Sequence, residues 1–119
     1  MATITAVVSS IKQFQENTVK AFWETLLNTD VGSAHRQPGW AIRHVQVTGT
    51  FGGATVTMQG SHDGTNWATL NDLQGDPITI SAAGITSIQE STLQIRPNVT
   101  GGDGTTDLDV ALIVTKRGK

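Results

Sequence analysis

Residues 49–104 read GTFGGATVTMQGSHDGTNWATLNDLQGDPITISAAGITSIQESTLQIRPNVTGGDG. Short Thr-rich runs alternate here with Gly-Gly, Asp-Gly and Gly-Asp pairs, which supply the positive φ angles of tight reversals. Ala54, Val56 and Met58 alternate with Thr55, Thr57 and Gln59, a period of two that separates a core side from a polar side. Ile78 and Ile80 flank Thr79 in the same way, and the run stops near Ala82-Ala83-Gly84. Leu93, Ile95, Pro97 and Val99 share one parity against Gln94, Arg96, Asn98 and Thr100. Pro97 has no N–H for a ladder, so it is expected at an edge, a bulge or the last exposed position of its strand. Gly52-Gly53 and Gly101-Gly102 read as hairpin turns, residues 61–66 as a turn before a strand at 67–70, and residues 71–77 as a loop.

Outward from this segment the alternation continues. Val45, Val47, Gly49 and Phe51 oppose His44, Gln46, Thr48 and Thr50, and Leu108, Val110, Leu112 and Val114 form the inward row of the final strand. The first forty residues are less regular, with strands expected at 4–8 and 20–27 on either side of the polar stretch 9–18. A helix over 14–27 competes with the second of these, but Thr18, Val19 and Thr25 and the lack of strong helix formers favour strand. Asp30, Gly32, Pro38 and Gly39 make residues 28–40 read as a long exposed loop. The sum is an all-β chain, a β-sandwich or jelly roll of about seven to nine short antiparallel strands. Residues 1–40 are expected to be an irregular N-terminal arm and long loop of the same domain, and residues 41–119 its sandwich core. Trp23, Trp40 and Trp67 are the expected packing anchors, because aromatic residues are few.

Composition narrows the function. The 119 residues suffice for one two-layer core. Charged residues are 15%, against roughly 25% in ordinary globular proteins, and 18 Thr and 13 Gly take their place. A net charge of −2 provides no basic field for phosphates, so nucleic acid is not an expected partner, and Lys116, Arg117 and Lys119 form only a small basic tail. No apolar run reaches a membrane span, and the first ten residues lack a basic leader followed by a sustained apolar stretch, so neither a membrane nor a secretory route is expected.

No catalytic, metal or cofactor set emerges. With no cysteine, disulfides and thiolate metal sites are impossible. His35, His44 and His62 lie in separate expected elements without zinc-motif spacing. Asp63, Asp103, Asp107 and Asp109 match no calcium loop and read as turn residues that bond their own backbone. Ser61-His62-Asp63 holds the residue types of a hydrolytic triad, yet neighbours on one turn do not point at each other in the required geometry. The chain is expected not to be an enzyme.

Two resemblances rest on particular wording. QGSHDGTNW at 59–67 and LQIR at 93–96 resemble galactose-binding-like jelly rolls, whose end loops bind sugars. That implies an alternative role as the carbohydrate-binding module of a tail fibre or spike, with Asp63, Asn66 and Trp67 as glycan contacts. VTGTFGG at 47–53, TVTMQGSHDGTNWATLND at 55–72 and IRPNVTGGDGTTDLDV at 95–110, with the short basic end, resemble the small capsid cement or decoration proteins of tailed bacteriophages. The resemblance implies a structural virion protein, made in the host cytoplasm, that binds the major capsid protein on the head exterior and stabilises the mature shell by bridging neighbouring subunits. It also implies a homo-oligomer, with a trimer expected; a neck or tail position is the structural alternative. On this reading the arm and loop residues Ile4, Phe14, His35, Arg36 and Trp40 make the capsid and intersubunit contacts.

Overall fold

A computed structural model describes residues 3–10, 18–36 and 42–115, and the only regular structure among them is β-strand. In chain order the strands are β1 (Thr3–Ile4), β2 (Val7–Ser10), β3 (Thr18–Leu26), β4 (Val31–Gly32), β5 (His35–Arg36), β6 (Ile42–Thr50), β7 (Ala54–Ser61), β8 (Ala68–Thr69), β9 (Thr79–Ile80), β10 (Gly84–Ile88), β11 (Gln94–Gly101) and β12 (Asp107–Thr115). A five-stranded sheet has the order β10-β6-β12-β3-β2. A seven-stranded sheet runs β1-β4-β11-β7-β8, with β5 also on β11 and β9 also on β7. No helix long and apolar enough to cross a membrane occurs among the described residues.

The core lies between the two sheets and follows the alternation in the sequence. Leu108, Val110, Leu112 and Val114 of β12 are all buried, as expected. On one side Val110 and Leu112 stand opposite Val47 and Val45 of β6; on the other they stand opposite Trp23 and Ala21 of β3. Ala54, Val56 and Met58 of β7 and Ile95 and Val99 of β11 close the core from the facing sheet. The segment around Phe22-Trp23 is a strand, not a helix, because β-branched neighbours suit a pleated surface and its partner row on β12 buries the inward half.

Several expectations are corrected. Gly52-Gly53 makes a tight turn, with φ of 57° and 86° and the Ala54 N–H donating to the Phe51 carbonyl at 2.9 Å. The strands that it joins do not pair: β6 lies in one sheet and β7 in the other, so the turn is a corner between sheets and not a hairpin. Gly101-Gly102 marks a second such corner, from β11 to β12. Thr106 ties the corners together, its hydroxyl donating to the Phe51 carbonyl at 2.8 Å and accepting from the Asp103 N–H at 3.0 Å. Residues 84–88, where no strand was expected, form β10 on the edge of β6.

Pro97 lies inside β11, buried and opposite Met58, not at an end or outer edge. Val99, of the same parity, sends its N–H to the Asp30 carbonyl at 2.9 Å, so the Pro97 nitrogen faces that same side. There β11 pairs with β5 at residues 94–95 and with β4 at residue 98, and Pro97 sits in the break between them. The missing donor therefore falls where no strand asks for one.

Residues 28–36 are not a loop exposed along its length. Asp30, Val31, Gly32 and His35 are buried, and β4 and β5 join the seven-stranded sheet. The remainder of that expected loop, residues 37–40, lies outside the described residues. β1 to β3 likewise belong to the two sheets, so within 3–10 and 18–36 the expected arm is more regular than its sequence. Arg43 has the parity of Val45 and Val47 and is 2% exposed. Its guanidinium donates to the Thr92 carbonyl at 2.8 Å, and burial lowers its pKa from the ordinary value.

Candidate interaction face

Inward parity accounts for half of each strand in the five-stranded sheet; the other half forms its outer face. The register places Ile85, Gln46, Ala111, Phe22 and Val7 in one row across all five strands. Four of the five are apolar, and Ile85 and Val7 are 67% and 65% exposed. On one side of this row lie His44, Ile113 and Lys20; on the other lie Thr48, Asp109 and Glu24. A shallow, open depression of about 480 Å³ is lined by Lys20, His44, Gln46, Ile85, Ala111 and Ile113 among others. The Lys20 ammonium lies 4.8 Å from the centroid of the Phe22 ring, held against the face by the ring's negative π-surface. A single exposed aliphatic side chain needs no explanation, whereas four apolar side chains gathered across one face form the kind of patch that interaction surfaces carry.

The acidic side of the face is positioned by a bulge. β3 carries one residue more than β12 between the pairs Trp23–Val110 and Leu26–Leu108. Thr25 takes up the excess at φ 61°, and its N–H donates to Asp109 Oδ1 at 3.0 Å.

The outer face of the seven-stranded sheet is different in kind. Thr55, Thr57 and Gln59 of β7 stand opposite Thr100, Asn98 and Arg96 of β11. Arg96 Nε donates to Gln59 Oε1 at 2.9 Å, and the Arg96 guanidinium carbon lies 4.0 Å from the centroid of the Trp67 ring. The polar groups of this face largely satisfy one another.

The residues expected to bind sugar are brought together, but they are engaged among themselves. Asp63 Oδ1 accepts the N–H groups of Thr65 and Asn66, both at 2.8 Å, and the Ser61 hydroxyl at 2.9 Å; Asp63 Oδ2 accepts the Asn66 amide at 2.8 Å. One face of Trp67 is covered by Arg96. The Asn66 and Thr65 N–H groups, then the Asn66 and Ser61 side chains, hold the Asp63 carboxyl well below the usual carboxylate range. The folded pKa is depressed, so the contribution of Asp63 to loop order is complete above about pH 4, the unfolded value, and is lost as pH falls through the lowered one. Carboxyl-detected NMR is expected to show Asp63 still ionised at pH 3, with the Thr65 and Asn66 amide shifts unchanged. Titration near pH 4 would show that these N–H groups do not hold the carboxylate.

Of the residues expected to contact a capsid, Ile4, His35 and Arg36 are described. Ile4 is half-buried and packs on the core, and His35 is buried opposite Ile95. Arg36 is exposed, opposite Gln94. Phe14 and Trp40 lie outside the described residues. Sequence reasoning passed over Val7, Phe22, Ile85, Ala111 and Ile113. The available signal was the unbroken apolar run VALIV at 110–114, which asks for cover on both faces of its strand. Among the described residues no group of three or more His, Asp or Glu is placed to hold a metal ion.

No protein-family model matches the sequence, and no curated protein sequence matches it. Among solved structures the fold is similar to that of the SPBc2 prophage-derived protein YomS, with a TM-score of 0.64 at 11% identity, over 82% of this chain and 93% of that one. It is also similar to the vicilin from Solanum melongena, with a TM-score of 0.53 at 15% identity, over 93% of this chain and 28% of that one. At these identities the likeness is one of fold: a two-sheet all-β architecture that a phage-derived protein shares.

Proposed function

We propose that this chain is a structural virion protein that binds the major capsid protein on the outer surface of a phage head and strengthens the mature shell by bridging neighbouring subunits. The observation that carries the proposal is the apolar row across the outer face of the five-stranded sheet. The core is already closed by the facing sheet, so this row is surplus to folding and suited to assembly. The fold shared with a prophage-derived protein supports the same reading. Many copies on one shell multiply modest contacts into strong attachment.

Co-sedimentation with undecorated mature capsids and with unexpanded procapsids tests the proposal. Saturable binding to the mature shell alone is the expected result. Ile85→Glu, a change at an exposed side chain, is expected to weaken that binding by about tenfold or more with an unchanged circular dichroism spectrum. Absence of binding to either shell would sink the proposal.

A further inference from the structure

We infer that the apolar row is covered by a second copy of this chain, packed face to face about a two-fold axis that runs along the row. The inference deepens the assembly role proposed above and rests on it for the choice of face: with the row taken up between two copies, the shell is held by the pair's remaining surfaces, and Ile85→Glu loosens it by halving the contacts that each attached body makes. Phe22 stands in the row, with Lys20 two residues before it and Glu24 two residues after it on β3. Successive odd or even positions of a strand share a face, so the two charges flank the row on opposite sides of the same surface. Rotation about the row lays the row upon its own copy and sets Lys20 of each molecule over Glu24 of the other. The symmetry makes this pairing twice.

The other simple two-fold, with its axis along β12, is disfavoured by the same map. It would place Asp109 against its own copy, like charge on like, and set Lys20 over His44 and Glu24 over Thr48, so that no opposite charges pair. The face suits a weak pair. β3, β6 and β12 run about 30 Å, β2 and β10 about 13 and 17 Å, and neighbouring strands lie about 4.8 Å apart, so each copy offers roughly 580 Å². Standard interfaces bury about 800 Å² per molecule and weak ones less, with an apolar centre and a polar rim, here supplied by Thr48 and His44.

Sedimentation equilibrium of the full chain without shells is the test. The mass is expected to rise with concentration to twice 12.6 kDa. Ile85→Glu is expected to weaken pairing by about tenfold or more. Lys20→Glu and Glu24→Lys are each expected to weaken it, and the double variant to restore it, because the swap re-forms both pairs with the signs exchanged. A mass fixed at 12.6 kDa up to about 1 mM, a larger oligomer indifferent to Ile85→Glu, or a double variant no better than the singles overturns the inference. A monomer that binds mature shells and loses them on Ile85→Glu also overturns it while leaving the shell role standing; a dimer with no affinity for any shell keeps the pairing and removes the shell.

Discussion

Trp23→Ala is expected to cost about 3–5 kcal/mol of stability, a large share of the roughly 5–15 kcal/mol that holds a domain of this size. Trp23 is fully buried on the inward side of β3. Its indole N–H donates to the Ser33 carbonyl at 3.0 Å, which ties the five-stranded sheet to the segment between β4 and β5. Gly32 lets the ring approach the opposite layer: a Cβ there would stand 2.7 Å from Trp23 Cδ1 and 2.6 Å from Pro97 Cδ. The ring thus fills a slot shaped by the absence of one side chain. Alanine leaves that slot empty and the Ser33 carbonyl without its donor. Thermal or urea unfolding is expected to show a melting temperature lower by about 10–20 °C. Trp23→Phe keeps much of the volume and is expected to lose considerably less. A loss below about 1 kcal/mol for the alanine variant would mean that the sandwich closes around the gap and that the slot is not the keystone described.

Gly49→Ala is expected to be nearly as severe, at about 3–5 kcal/mol, by an unrelated route. Gly49 has a φ of 119°, which L side chains rarely adopt, and a Cβ there would collide with the backbone carbonyl oxygen of Asp107 on the neighbouring strand. Backbone held in a ladder cannot swing aside as a side-chain tip can. Gly53→Ala is the control, because Gly53 has a φ of 86° but nothing within 4 Å of the added carbon. It is expected to cost about 1–2 kcal/mol from dihedral strain alone. Equal losses for the two variants in the same denaturant titration would show that the collision is relieved by a small strand shift.

Strands were easier to read than their partners. β7 was legible because its apolar and polar residues alternate from Ala54 to Gln59, and β12 because Leu108, Val110, Leu112 and Val114 keep one parity; burial follows both rows. The Gly52-Gly53 turn was legible in its dihedral angles and misread in its consequence. A dipeptide sets the local path, but β6 finds its neighbour in β12, whose residue 107 pairs with residue 50. That choice is made by burial across the whole fold. β10 has the sequence GITSI, whose two Ile fall on opposite parities, and becomes a strand by adding to an edge, a contribution that no local period announces. Pro97 shows the same limit, since a break between two short partner strands serves as well as an outer edge. The interaction face was legible in principle, because Ala111 and Ile113 are apolar where alternation calls for polar residues. Attention fell instead on the less regular segments, where Ile4 and His35 proved to be packed within the chain.

The place of β12 has a consequence for synthesis. It is the last of the described strands to leave a ribosome, yet it stands at the middle of the five-stranded sheet, and β3 and β6 meet only through it. Until residues 107–115 have emerged, those two strands have no common neighbour and Trp23 has no wall on that side. With translation at about 5–20 residues per second, β3 waits several seconds for its partner, far longer than a local hairpin takes to form. The nascent chain therefore remains open and exposed to other strands until β12 has emerged, and the sheet closes only once the 89 residues from the end of β3 to the end of β12 are all free of the tunnel.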